Sequence, residues 1–156
     1  MMKRVILLVV ALWAAPMSLS WAQPVVVADP ARHVTELSNN MSVAGVAPLR
    51  ALYSQMYSGA ALPSNVEAAL LTYERAITSP RALESRIIED ITLSDAYRAI
   101  FLYHYYGSNA WIFIRLDFVR IGPEEWTVSA ATFGSEWTRV AIPVTPGFTS
   151  NLGSQR

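Results

Sequence analysis

Hydrophobic and polar positions change period near residue 87. Before it, apolar residues recur at helical spacing. Leu49, Leu52, Tyr53 and Met56 fall at i, i+3, i+4 and i+7, with Pro48 in the first turn and Gly59 placed as a C-terminal stop, and they predict one amphipathic helix. A second follows from Ser64-Asn65-Val66-Glu67, which reads as a capping box opening a stripe of Val66, Leu70, Tyr73 and Ile77 to about Thr78. An earlier, shorter helix is announced by Asp29-Pro30, an N-cap followed by proline at the first helical position, and carries Val34 and Leu37 to a stop near Asn39-Asn40. Ser79-Pro80 reads as a short helical restart ending by Arg86.

From Ile87 the run IIEDITL is rich in β-branched residues and too short for an ordinary helix, so Ile87 to Leu93 reads as a strand with Ser94-Asp95 as the turn beyond it. The stretch from Ala96 to Phe133 then reads as three strands joined by turns at Gly107-Ser108-Asn109-Ala110 and Ile121-Gly122-Pro123-Glu124-Glu125. It holds four of the five Phe and four of the seven Tyr, which makes it a sheet and most of a core.

Strand alternation turns this meander into two faces. With Tyr106 opposite Trp111, Tyr103 meets Ile114, Phe101 meets Leu116 and Ala99 meets Phe118. The second turn adds Trp126, Val128 beside Phe118, and Ala130 beside Leu116. This apolar face, with Phe101, Tyr103, Leu116, Phe118, Trp126 and Val128 as candidate ligand-binding residues, is expected to face the helices. The other face carries Leu102, His104, Tyr106, Trp111, Phe113, Arg115 and Asp117, and is the candidate interface for a homodimer or another partner. Asp117 and Arg115 there read as a structural ion pair, and His104 as a strand residue at a surface or interface.

The amino terminus changes the setting. Lys3 and Arg4, the apolar run Val5 to Ala15 and the Ser20-Trp21-Ala22 site have the layout of a secretory signal, with cleavage expected after Ala22. The apolar run is shorter than the roughly twenty residues that span a bilayer. Residues 1–22 therefore read as a signal peptide, 23–28 as a linker or short edge strand, 29–141 as one α+β domain and 142–156 as a flexible tail. The expected location is periplasmic or secreted, with no membrane span left after cleavage. Without its leader the chain has ten Arg, no Lys and twelve Asp and Glu, a formal charge of about −2 that gives nucleic acid nothing to hold. There is no cysteine, so the fold cannot rest on disulfides, and two histidines supply a zinc site poorly. No P-loop, dinucleotide or nucleophile-elbow pattern occurs, and no cofactor is implied.

The order of helices, strand and long meander, closing in RLDFVRIGPEEWTVSAATF, resembles the C-terminal hairpin of the nuclear transport factor 2-like superfamily, also called SnoaL-like or cystatin-like cone folds. The likeness rests on Phe118-Val119-Arg120 ending one strand, a short polar turn, and Trp126 opening the next. It lacks the Gly usual before that tryptophan, having Glu124-Glu125 instead. The resemblance implies N-terminal helices packed on a curved antiparallel β-meander, with a cone that holds a small apolar ligand in some members. Other members are isomerases or dehydratases, which here would need a buried Tyr or Asp. The favoured reading is an exported binding or interaction domain without an evident catalytic site, taking a small apolar ligand or an envelope protein and dimerising through its sheet. An accessory component of a bacterial envelope machine is a further alternative.

Overall fold

The structure, a computed structural model, describes residues 24–140; the expected signal peptide and tail lie outside the described residues. Asp29 caps α1 (Pro30–Ala44), its Oδ1 accepting from the Ala31 and Arg32 amides at 2.9 and 3.4 Å. The helix runs past Asn39-Asn40, because Met41 continues the buried stripe of Val34 and Leu37, and it ends at Gly45 with φ +63°. The Gly45 amide donates both to Met41 O and to Pro80 O. α2 (Ala47–Met56) buries Leu49, Leu52 and Tyr53, and stops at Gly59, φ +73°, whose amide returns to Ser54 O.

α3 (Ser64–Ala76) lacks the expected capping box. Pro63 occupies the cap position, no side chain caps the helix, and Glu67 is engaged by Arg50 of α2 at 2.6 Å. Arg50 reaches Glu74 as well, at 3.0 Å, so one guanidinium clamps α2 to α3. The helical restart at Ser79-Pro80 does not form. That segment bends, the Ala82 amide donates to Ser42 O, and the Leu83 amide donates to Tyr105 O, which starts a strand ladder instead.

The sheet is antiparallel, in the order β1-β5-β4-β3-β2, and curls into a half-barrel around the helices, an α+β cone-like architecture. Its strands are β1 (Val26–Val27), β2 (Glu84–Ser94), β3 (Tyr97–Tyr105), β4 (Trp111–Gly122) and β5 (Glu125–Gly134), and a single helical turn, α4 (Trp137–Val140), follows.

The register of the central hairpin differs from expectation by one residue. Gly107, Ser108 and Asn109 all have positive φ, and the Tyr106 amide donates to Ala110 O at 3.0 Å, so the turn takes three residues rather than four. Tyr105 therefore pairs with Trp111, Tyr103 with Phe113, Phe101 with Arg115 and Ala99 with Asp117. A one-residue slip sends every β3 side chain to the other face. The helix-facing side consists of Ile100, Leu102, His104 and Tyr106 beside Ile112, Ile114, Leu116 and Phe118, all buried.

The second hairpin places Val128 opposite Phe118 as expected. A bulge at Ser129 then moves Ala131, not Ala130, opposite Leu116, and brings Phe133 opposite Ile114. Ala130 faces Asp117 on the outer side.

Candidate functional site

Among the described residues, the interior that would form a ligand chamber is packed with side chains. Val34, Met41, Leu49 and Leu70 from the helices pack against Leu102, Ile112, Ile114, Leu116 and Phe118, none with exposed surface. Leu116, Phe118, Trp126 and Val128 of the expected ligand set belong to this core or pack on it. Phe101 and Tyr103 do not: the register puts both on the outer face. Conversely, Leu102, His104 and Tyr106 of the expected interface lie on the helix side, with 0%, 0% and 3% exposure, where no partner reaches them. Trp111, Phe113, Arg115 and Asp117 are outer-face residues.

The outer face thus collects residues from both sets. Tyr105 stacks on Trp111 with centroids 4.4 Å apart at 24°, and Trp111 continues to Phe113 at 6.1 Å with the rings only 7° from parallel. Tyr103 lies 5.5 Å from Trp111 and 6.0 Å from Phe113, and its hydroxyl donates to Glu84. Tyr103, Tyr105, Trp111 and Phe113 are half-buried, so the rings offer a partly open aromatic surface. Trp137 of α4 packs edge-on against Phe101 and Phe113 at 5.4 and 6.0 Å and closes one end of the row. Trp137, Tyr97 and Tyr105 escaped sequence reasoning. The first follows the last strand, and the two tyrosines belong to neither expected set.

Beneath that end lies a buried charge pair. Arg115 Nε donates to Asp117 Oδ1 at 2.8 Å, and Arg115 Nη2 to the Tyr97 hydroxyl at 3.3 Å, while the guanidinium stands 5.4 Å over the Phe101 ring. Both charged residues are under 5% exposed. Burial opposes the charge on Arg115, but the Asp117 carboxylate and the Tyr97 hydroxyl more than offset it and hold its pKa above the usual value. Burial also raises the Tyr97 phenol, helped by its hydrogen bond to Asp117. The pair lies within β4, and the bond from Arg115 to the Tyr97 hydroxyl is what carries it across to β3.

On the other side of the sheet His104 has Nδ1 2.7 Å from Ser85 Oγ, and burial lowers its pKa to about 4. His33, edge-on to Phe118 at 6.3 Å, is also lowered, by burial against a smaller opposing effect of Glu36. Among the described residues, no three His, Asp or Glu side chains gather as a metal site, and no helix is long and apolar enough to cross a membrane. A depression of about 170 Å³ at the α1–α2 corner is lined by Gly45, Val46, Glu74, Ile77 and Pro80, away from both faces of the sheet. No family model, curated protein or solved structure matches the chain.

Proposed function

We propose that the chain is an exported binding domain of the nuclear transport factor 2-like type, without catalytic chemistry of its own, that meets a protein partner of the cell envelope through the outer face of its sheet. The observation that carries this reading is the row Tyr105, Trp111 and Phe113 with Tyr103 beside it, half-open on the face opposite the helices. Aromatic side chains supply large contact areas at small cost in rotamer entropy, and contiguous apolar surface on a sheet marks association. The small-ligand reading loses support because the side chains meant to line a chamber fill it instead. The isomerase or dehydratase reading loses support because its candidate groups are separated. Asp117 is tied to Arg115 on the outer face, Tyr103 is bonded to Glu84 at the surface, and His104 is neutral inside the core. Export rests on the leader pattern of residues 1–22.

The test is a photo-reactive benzoylphenylalanine placed at Phe113 or at Tyr103 in the producing cell, with Glu36 of α1 and Leu71 of α3 as exposed control positions. Discrete adducts of higher mass are expected from the two sheet positions and not from the helices. Adducts spread equally over all four positions, or from none of them, would overturn the proposal.

A further inference from the structure

The two edges of the sheet are built differently. One is β1, two residues long; the other is β2, eleven residues long, with every side chain but Ile91 exposed. Four of the large apolar side chains left open to solvent, Leu83, Ile87, Ile88 and Leu93, lie in or next to β2. Its outward backbone groups have no ladder partner among the described residues. A long open edge is a template for another strand, and proteins usually blunt it with charges and bulges. β2 has both, but arranged so that they fit one partner.

That partner is a second β2. Before the bulge at Ile88, the outer-face residues are Glu84 and Arg86, opposite Tyr105 and Tyr103. After it, they are Glu89 and Ile91, opposite Phe101 and Ala99. The bulge thus moves the outer face from even to odd positions. When two copies run antiparallel about a two-fold axis, residue i meets j and j meets i. An axis between Ile87 and Ile88 matches outer face to outer face along the strand: Arg86 meets Glu89 of the second copy, Glu84 meets Ile91, and on the inner face Ser85 meets Asp90. Moving the axis by one residue sets Glu84 against Glu89 in one direction and Arg86 against Ile91 in the other. Arg86 and Glu89 are also the charges left over, since neither has an ion-pair partner among the described residues, whereas Asp90 is held by Arg98 at 2.7 Å.

We infer that two copies of the chain pair along β2 about this axis and form one continuous sheet, with their aromatic outer faces side by side. This rests on the reading of the sheet as the association surface and names the edge and the copy that use it. Residues 84–91 would exchange about eight backbone hydrogen bonds, close to the roughly ten of a typical interface, with the Arg86–Glu89 pair formed twice. Growth stops at two copies, because the remaining edges are the two-residue β1 strands.

Sedimentation equilibrium on the chain purified without its leader tests this through charge exchange. The unaltered chain is expected to be a dimer. Arg86→Glu alone sets four carboxylates together, and Glu89→Arg alone sets four guanidinium groups together, so each should weaken self-association about tenfold or more. An equimolar mixture of the two variants restores complementary pairs and should give a heterodimer, and the double variant R86E/E89R should dimerise again. Both positions are exposed, and an unchanged far-UV spectrum shows that the fold is kept. A monomeric unaltered chain, or a dimer that Arg86→Glu leaves intact, would overturn the inference. Phe113→Asp should leave the dimer in place. If it dissolves the dimer while Arg86→Glu does not, copies meet by the aromatic face, so the edge inference falls and the outer face stands as an association surface, with a second copy rather than an envelope protein as its occupant.

Discussion

His104 lies wholly inside the core, with Ser85 Oγ on Nδ1 and no partner for Nε2 among the described residues. Burial holds its pKa near 4, against an ordinary 6.5, so the folded chain keeps the ring neutral where the unfolded chain protonates it. Above pH 6.5 both states are neutral and the group adds no pH dependence. Below it the unfolded state binds the extra proton, and stability is lost progressively until about pH 4, by roughly 3 kcal/mol in all. His33, also lowered by burial, acts in the same direction. In His104→Leu this contribution disappears. Urea unfolding at pH 7 and pH 4.5 should therefore show the unaltered chain losing roughly 2–3 kcal/mol more than the variant. Equal losses would mean that the imidazole is hydrated in the folded state. The sequence marks His104 as a strand residue among tyrosines, but its face depends on a register that its neighbours do not reveal.

That register is set at the scale of the hairpin. β4 alternates plainly, with Ile112, Ile114, Leu116 and Phe118 on one side. β3 runs Ile100-Phe101-Leu102-Tyr103, apolar on both faces, so burial alone cannot say which of its faces joins β4. The turn decides, and Gly-Ser-Asn-Ala is compatible with either three or four loop residues until the three left-handed φ values are known. The small residues Ser129-Ala130-Ala131 hide the β5 bulge in the same way, whereas the Asp29-Pro30 start of α1 is legible because side-chain capping is local chemistry. The capping box at Ser64 fails for a non-local reason, the claim of Arg50 on Glu67. Gly107 carries the turn, at φ +84°, where a Cβ would stand 3.3 Å from Leu83 Cδ1. Gly107→Ala should cost about 1–2 kcal/mol of stability in denaturant unfolding from the left-handed backbone of a residue with a Cβ, and somewhat more from the contact with Leu83 Cδ1. Gly59→Ala, at φ +73° with nothing within 4 Å, gives the backbone part alone and should cost less. Equal costs at the two sites would show that Leu83 does not crowd the turn.

Across the whole molecule, helices come first in the chain and the meander after, so nearly every contact between the two layers joins distant residues. The α+β order is readable from the change of hydrophobic period. Which sheet face the helices cover is not, and the candidate site was accordingly divided between two expected surfaces. Two tyrosines tie the layers at separate points: Tyr53 of α2 donates to Ala131 O of β5 at 2.6 Å, and Tyr106, just past β3, donates to Met41 O of α1 at 2.7 Å. Burial raises both phenols, so each hydroxyl keeps its proton and remains a donor. Replacing either by Phe keeps the ring, including the edge contact of Tyr53 with Phe133 at 5.5 Å, and removes one hydrogen bond worth about 1 kcal/mol. Tyr53 and Tyr106 serve different helices and different strands, so the losses should add to within about 0.5 kcal/mol in the double variant. Both layers contribute to one continuous core, so the double variant should still unfold in a single step, with tryptophan fluorescence and far-UV dichroism coincident and the denaturant slope unchanged. A fluorescence transition preceding the loss of helix would show that the sheet opens independently, and that the two hydroxyls had been holding together layers that the core alone does not.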